Sequence, residues 1–416
     1  MKQQYDLLII GGGMAGASLA LALRHSGLRI AVVEAVASDA SQQPSYDARA
    51  IALSHGSQRI LDGMGLWQAM AAETVTPIRR IQVSDRGHFG RVRIDATEEQ
   101  VDALGYVVEA AVLGRVLQPA LQEQAGIALY CPAQLQSLEQ HSEGVHVTVQ
   151  CNDELCELSA RLLVAADGGN STVASLLGGR YLSRGYGQSA IIANVVGERE
   201  HDNMAHERFT DSGPLALLPN RAPGWMAGSE AGDCRWSLVW TVRDAQLEHT
   251  LALDDADFLA ALQQRLGRRI GRILSTGPRS AYPLGLRYLH DHVQQRVVFV
   301  GNAAHTIHPV AGQGLNLGLR DVAALSEVIE QAAGRGEDIG SSAVLAEYKH
   351  WRRPDYLRVM AMTDSLARGF ASNLLPLVVA RNLGMVGMDL LPPLRRVLTR
   401  QMMGLNGRQS RLARGA

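Results

Sequence analysis

Apolar positions along the 416 residues follow two rhythms. Tyr5–Ile10, Leu28–Val33, Leu162–Ala166 and Val297–Val300 are short unbroken apolar runs that read as buried strands. The first runs through glycines into a helix-like stretch ending near His25, and the last runs through a glycine-containing loop into a helix opening near Leu315. Between about Arg180 and Ala281 the rhythm changes. Ala190–Val196, Ala205–Phe209, Gly213–Leu218 and Arg235–Thr241 are strand-like runs divided by Gly, Pro, Asn and Asp turns. Trp236, Leu238 and Trp240 alternate with Ser237 and Val239, which predicts a sheet with one face more buried than the other. An amphipathic helix is expected over Asp254–Leu266, with acidic residues in its first turn.

The junctions after the apolar runs carry the chemistry. Gly11-Gly-Gly-Met-Ala-Gly16 follows a strand and opens a helix, and Glu34 ends the next strand, 18 residues after Gly16. That is a dinucleotide-binding fingerprint in its required context. Gly11 allows the turn, Gly13 lets the backbone approach a pyrophosphate, and Gly16 permits close helix–strand packing. Glu34 is placed to accept from a ribose hydroxyl. The segment Gly301–Asp321 offers a second strand–loop–helix, with Pro309 and the Gly312-x-Gly314 bend before the helix. Such a loop aims backbone N–H groups and a positive helix end at an anionic ligand. A third junction, Asp167-Gly168-Gly-Asn-Ser171, ends the run that starts at Leu162.

In this order the three junctions resemble the single-component FAD-dependent aromatic hydroxylases, the para-hydroxybenzoate hydroxylase family, from Tyr5 to about Phe370. The resemblance implies an α/β fold: a discontinuous Rossmann-like FAD-binding domain, an antiparallel-sheet substrate domain and a C-terminal helical region. The expected boundaries are 1–75, 101–179 and 282–345 for the FAD domain, 76–100 and 180–281 for the substrate sheet, and 346–416 for the helical region. The first junction, with Gly11, Gly13, Met14, Ala15, Gly16 and Glu34, is expected to hold the ADP part of FAD. Arg49, in Asp47-Ala-Arg-Ala-Ile, is expected beside the cofactor, and Arg115 is a candidate phosphate contact. Asp167 is expected near the pyrophosphate. Asn302, Pro309, Gly312, Gly314, Leu315 and Asn316 are expected around the ribityl chain and the pyrimidine end of the flavin.

Two departures qualify the resemblance. The family's third junction usually starts Gly-Asp; here it is Gly301-Asn302, which keeps an acceptor oxygen and drops the charge. The Arg expected three residues after Ser171 is Ala174, which weakens any inference about nicotinamide contacts. The Asn302 variant, with Gly-Gln-Gly-x-Asn-Leu-Gly-Leu-Arg-Asp, is most similar to the ubiquinone-biosynthesis branch, and within it to the hydroxylases of 2-polyprenyl-6-methoxyphenol. That implies a monooxygenase acting on a polyprenylated phenol, with NAD(P)H as transient reductant and dioxygen as co-substrate. Other readings stay open: another ring position, an FAD-dependent dehydrogenase or reductase, and a non-catalytic flavoprotein assembly factor. His308 is a candidate to assist deprotonation of the phenol, although loop ordering by His305 and His308 is the plainer reading. Glu207-Arg-Phe209 and Gly213–Pro219 are expected to line the pocket.

A net charge of −1 gives no electrostatic case for nucleic acid. Cys131, Cys151, Cys156 and Cys234 show no C-x-x-C pair and fit a reducing cytoplasm. No metal site is expected, since His305 and His308 lack a third ligand at suitable spacing. The entry into a strand by Tyr5 leaves no room for a signal peptide. From Arg381 onward there are seven Arg, no Lys and one acid, Asp389, among Leu, Val and Met. Such a tail suits an anionic membrane surface, the inner face of the membrane, or a partner protein of the same pathway; a packed helical cap is the alternative.

Overall fold

The structure is a computed structural model, and it describes residues 3–37, 46, 49–152, 154–221, 234–308, 312–371 and 374–415. Its first sheet runs in the order Val293–Gln294, Val297–Phe299, Glu154–Ala165, Gln3–Ile10, Ile30–Val33, Ile127–Tyr130. All neighbours along it are parallel except the first pair. The unbroken apolar runs have their cause here, because both faces are covered. Leu7, Ile9, Val32, Val164 and Val298 point into one core, with helices Met14–Ala22, Ala110–Gln122 and Gln313–Gly334. Leu8, Val33, Leu163 and Phe299 point into the other, beneath the antiparallel strands Ala133–Gln140 and Val145–Cys151.

The second sheet has the order His305–Thr306, Ser280–Leu289, Tyr181–Gly197, Arg235–Arg243, Gly213–Pro219, Met204–Thr210, Arg80–Asp85, Arg91–Asp95, and Ile273–Thr276 also pairs with Tyr181–Gly197. It extends past residue 281, the edge read from the sequence, by taking in Tyr282–Leu289 and the short strand at 305–306. The third junction therefore belongs to both layers. Trp236, Leu238 and Trp240 form the outer core with Phe258, Leu262 and Leu266 of helix Asp255–Leu266. Asp254 caps that helix by accepting from the Asp257 N–H at 2.8 Å. Ser237 and Thr241 are buried as well, so the expected contrast between faces is weak. On that opposite face Ile192, Ala216, Leu218 and Val239 are half-buried.

A small three-stranded sheet, Ala50–Ser54, Gly105–Glu109 and Val75–Ile78, joins the two layers. The C-terminal region is helical over Ser342–Ala371, Leu375–Leu390, Pro392–Met402 and Arg411–Arg414. Its arginines are largely docked. Arg381 meets Asp85 at 2.8 Å, Arg395 meets Glu98 at 2.8 Å, and Arg411 meets Glu330. The tail is thus a packed cap over much of its length.

Candidate cofactor and substrate site

The first junction is as tight as the spacing of its glycines requires. Gly11 has φ +100°, and a Cβ there would lie 2.5 Å from the Ala166 carbonyl oxygen. A Cβ on Gly16 would lie 1.8 Å from the Gly11 carbonyl oxygen, so only glycine lets this helix start so close to the strand. Gly13 caps helix Met14–Ala22, leaving the first-turn N–H groups open to an anion. Glu34 anchors the loop: its carboxylate accepts from the Gly12 N–H at 2.6 Å and from the Val36 N–H at 2.8 Å. Tyr46 and Gln118, which the sequence did not single out, close the other side. The Gln118 amide donates to the Gly12 carbonyl at 3.0 Å, and burial pushes the Tyr46 phenol up to about 12.

The three junctions converge. The Ala166 N–H donates to Ile10 at 2.7 Å, and the Val300 N–H donates to Ala165 at 3.0 Å. Gly301, with φ +58°, presents its Cα face to Ala15, and a Cβ on Gly318 would come within 3.2 Å of the Gly301 Cα. Asp167 accepts from the Val173 N–H at 3.1 Å through one oxygen. Its other oxygen is buried with no hydrogen-bond partner, and burial raises its pKa. A buried acceptor left open beside a glycine-rich cradle suits a cofactor that brings hydroxyl groups to it. Asn302 is exposed on the turn Gly301–Ala303 beside this cradle. These residues fit FAD.

Asp321 holds the third junction in place, and the sequence showed it only as the last letter of a motif. Its carboxylate accepts from the Gly301 N–H (3.1 Å), Arg352 Nε (2.8 Å) and the Tyr356 hydroxyl (2.7 Å), and its Oδ2 lies 2.7 Å from His305 Nε2. Burial pushes the Asp321 carboxyl up, but Arg352 and then His305 outweigh it and hold it well below the usual carboxylate range. Asp355 bridges Arg352 and Arg320 at 2.6 and 2.8 Å. His305 therefore orders the loop.

Asn316 is committed to the scaffold. It accepts from the Ser54 N–H at 2.8 Å and donates to the carbonyls of Ala52 (2.8 Å) and Gly312 (2.6 Å). Gly312 has φ +61°, and a Cβ there would press on Ala52 at 2.9 Å. Gly314 has open space where a Cβ would stand, and Leu315 is half-buried in the first turn of helix Gln313–Gly334. Pro309 lies outside the described residues. The Arg49 guanidinium lies 4.8 Å over the Tyr282 ring, linking the small sheet to the second. Arg115 pairs with Glu73 at 2.7 Å on a half-exposed helix face, a placement fixed by a residue 42 positions away. His308 is buried, kept neutral by a pKa lowered to about 4 through desolvation, and stands edge-on to Tyr186 with ring centres 5.1 Å apart.

The second sheet turns Ala205, Glu207 and Phe209 toward the cofactor domain. Ala205 packs with Ala50, Ala52 and Leu218, and Ala52 is the residue gripped by Asn316 and Gly312. Phe209 stacks on Phe370 with ring centres 3.5 Å apart. A largely apolar cavity lies against the start of helix Gln313–Gly334, lined by Ala52, Ile78, Ile81, Leu104, Gln313 and Met403.

A family model described as an FAD binding domain matches residues 4–363, and the chain belongs to that family of FAD-dependent monooxygenases. Among individual relatives, the ubiquinone hydroxylase UbiL of Rhodospirillum rubrum is 38% identical over 99% of this chain and 92% of its own. The 3-demethoxyubiquinol 3-hydroxylase of Escherichia coli is 33% identical over 97% of this chain and all of its own. The fold is also that of p-nitrophenol 4-monooxygenase PnpA from Pseudomonas putida, with TM-score 0.78 and 19% identity over 98% of this chain and 100% of that one.

Proposed function

We propose that the protein hydroxylates the aromatic ring of a polyprenylated phenol in ubiquinone biosynthesis, with 2-polyprenyl-6-methoxyphenol as its substrate. The observation that carries this reading is the convergence of Gly11–Gly16, Asp167 and Gly301–Asn302 on one cradle, roofed by an apolar sheet face. The full-length similarity to ubiquinone-pathway hydroxylases supports the pathway, and Asn302 in place of Asp supports the particular step. FAD, reduced by NAD(P)H, would supply activation of dioxygen and transfer of one oxygen atom. Glycines 11, 13 and 16 and Glu34 would seat the ADP moiety, with Arg49 and Arg115 near it. Asp167, Asn302 and the Gly312–Leu315 turn would hold the rest, and the closed sheet interface would exclude water.

A lipid-borne substrate also fits the C-terminal surface. Leu375, Leu383, Leu390, Leu394 and Val397 are exposed on two helices bent by 99°, with exposed Leu391 at the break between them and exposed Arg396 and Arg400 beside them. Apolar side chains interleaved with cations suit an anionic bilayer surface. Among the described residues no single helix is long and apolar enough to cross a membrane.

Quinone-lipid analysis of a deletion strain, paired with oxygen-uptake and product assays, tests the proposal. Accumulated 2-polyprenyl-6-methoxyphenol supports it, and a later demethoxy intermediate moves the step along the ring. Flavin reduction without oxygen incorporation indicates a dehydrogenase. Ubiquinone lost on deletion and restored by a catalytically dead variant indicates an assembly factor.

A further inference from the structure

Among the described residues, Glu207 is the one carboxyl without assigned work on the sheet face that carries Ala205 and Phe209 toward the cofactor domain. In strand Met204–Thr210, His206 and Arg208 turn outward: His206 lies against Trp236, and Arg208 donates to the Arg265 carbonyl at 2.8 Å. Glu207 turns inward between Ala205 and Phe209. Its neighbours across the sheet are Val83 and Ala216, and beyond Ala216 come Val239 and Ile192. Among the described residues nothing gives the Glu207 carboxyl a hydrogen bond or an ion pair. Glu207 is half-buried, so a ligand that covers it would have to satisfy its carboxyl.

The charged groups on the surrounding elements are engaged elsewhere. Asp85, on the same face of the adjacent strand, is held by Arg381 and Asn382. Asp364, on helix Ser342–Ala371, accepts from the Tyr186 hydroxyl at 3.2 Å and lies 4.0 Å from Arg184. Arg49 stands over Tyr282, and His308 over Tyr186. The inward positions of the strands beside it, Ala216, Leu218, Ser237, Val239, Thr241, Ile192 and Asn194, carry no titratable group. Burial alone therefore lifts the Glu207 carboxyl to about 7.

Resting on the phenol hydroxylation proposed above, we propose that Glu207 receives the ring hydroxyl of the substrate and takes its proton. The O–H bond of the ring hydroxyl breaks, and the proton bonds to a Glu207 carboxylate oxygen. The electron pair stays on the ring oxygen and enriches the ortho and para carbons, so no oxidant or reductant is consumed in this step. A base that titrates near the working pH combines availability with proton-accepting strength. The apolar walls also strengthen the hydrogen bond that steers the ring.

The test compares full-length, FAD-loaded wild type with Glu207→Gln, Glu207→Asp and His308→Gln, using a short-chain prenylated phenol between about pH 5.5 and 9. Wild-type kcat/KM should rise with pH through a midpoint near 7. Glu207→Gln should keep its FAD and its rate of flavin reduction, lose about 10²–10⁴-fold in hydroxylation, and lose the inflection. Glu207→Asp should restore part of both. Phenol binding, followed through the flavin absorbance without turnover, should show the same midpoint in wild type and none in Glu207→Gln. An unchanged pH profile in Glu207→Gln overturns the inference, as does an inflection removed only by His308→Gln. A wild type that binds phenol with this pH dependence but releases no hydroxylated product defeats the functional proposal and leaves the assignment of Glu207 standing.

Discussion

Gly301 and Asp321 are joined inside the protein: the Gly301 N–H donates to the Asp321 carboxylate at 3.1 Å. The loop that carries Asn302 is thereby fixed to the third turn of the helix that follows it. Without that bond the loop would have to find its shape from the sequence 301–312 alone, which is rich in small residues.

Asp321→Asn should therefore disturb both stability and cofactor. It keeps the shape but leaves Arg352 buried with only Asp355 to balance it. Breaking a buried ion pair from one side costs about 3–5 kcal/mol. Urea unfolding should show that loss, together with reduced FAD content after purification. The Asp321 pKa is depressed in the fold, so its stabilisation is intact above the unfolded value of about 4 and drains away as pH falls below it. A variant within about 0.5 kcal/mol of wild type would mean that Arg352 and Tyr356 carry the loop without the charge.

Gly16→Ala tests the first junction. The added methyl would meet the Gly11 carbonyl oxygen at 1.8 Å, a backbone atom that cannot swing away. Overpacking of this kind costs about 1–3 kcal/mol or more, and here the start of helix Met14–Ala22, the proposed pyrophosphate seat, must move. The purified variant should be colourless or nearly so by visible absorbance, while far-UV circular dichroism stays close to wild type. Full flavin occupancy would show that the loop relaxes without losing its phosphate site.

How much of this was legible in the sequence follows the distance over which each feature is encoded. The Gly11–Gly16 turn and Glu34 lie within one strand–helix–strand unit, and the residues that need each other are close in the chain. The hub of Asp321 draws on His305, Arg352 and Tyr356, and nothing local distinguishes Arg352 and Tyr356 from the solvated face of a helix. The second sheet's edge was misplaced because Tyr282–Leu289 follows the insert and precedes the third junction, so proximity in sequence suggested the cofactor domain. It pairs instead with Tyr181–Gly197, about a hundred residues back. The basic tail has one composition whether it is loose or docked, and the deciding acids, Asp85, Glu98 and Glu330, lie far upstream.

Asn302→Asp should retain FAD, since both side chains offer an acceptor oxygen. With residue 302 beside the flavin as proposed, the added charge opposes electron gain, so the two-electron potential should fall by roughly 20–30 mV for about 1 kcal/mol of extra repulsion. Dye-linked reduction measures it. A potential that rises or stays fixed would place residue 302 away from the ring system.

Truncation after Leu394 should damage the fold, because the segment it removes is built in. Met403 accepts from the Gly56 N–H at 2.8 Å, Gly63 lies against the Leu412 backbone, and Ala413 is buried in the main core. These contacts brace helix His55–Gly63, which continues from the strand that Asn316 grips. A loss on the order of 2–5 kcal/mol is expected from the buried side chains alone. Thermal melts and flavin content should both fall. A folded, fully loaded truncated protein would show that the tail is a detachable segment after all.

The exposed leucines give the membrane proposal its own test, in the full-length chain. Replacing Leu390, Leu391 and Leu394 by Ser removes side chains that are half or more exposed, so folding stability should change little. A fully inserted Leu contributes about 1.5–3 kcal/mol, so even half-insertion of three of them predicts binding weakened by about 10²-fold or more. Arg396→Gln with Arg400→Gln should cost less, about 1 kcal/mol per charge near the surface, and only at low salt. Co-sedimentation with vesicles containing anionic lipid, against neutral vesicles, at low and high ionic strength, separates the two contributions. If the leucine variant sediments as wild type does, or if wild type ignores vesicles of either kind, the surface serves a protein partner. A pull-down between tagged and untagged copies then asks whether that partner is a second chain of the same kind.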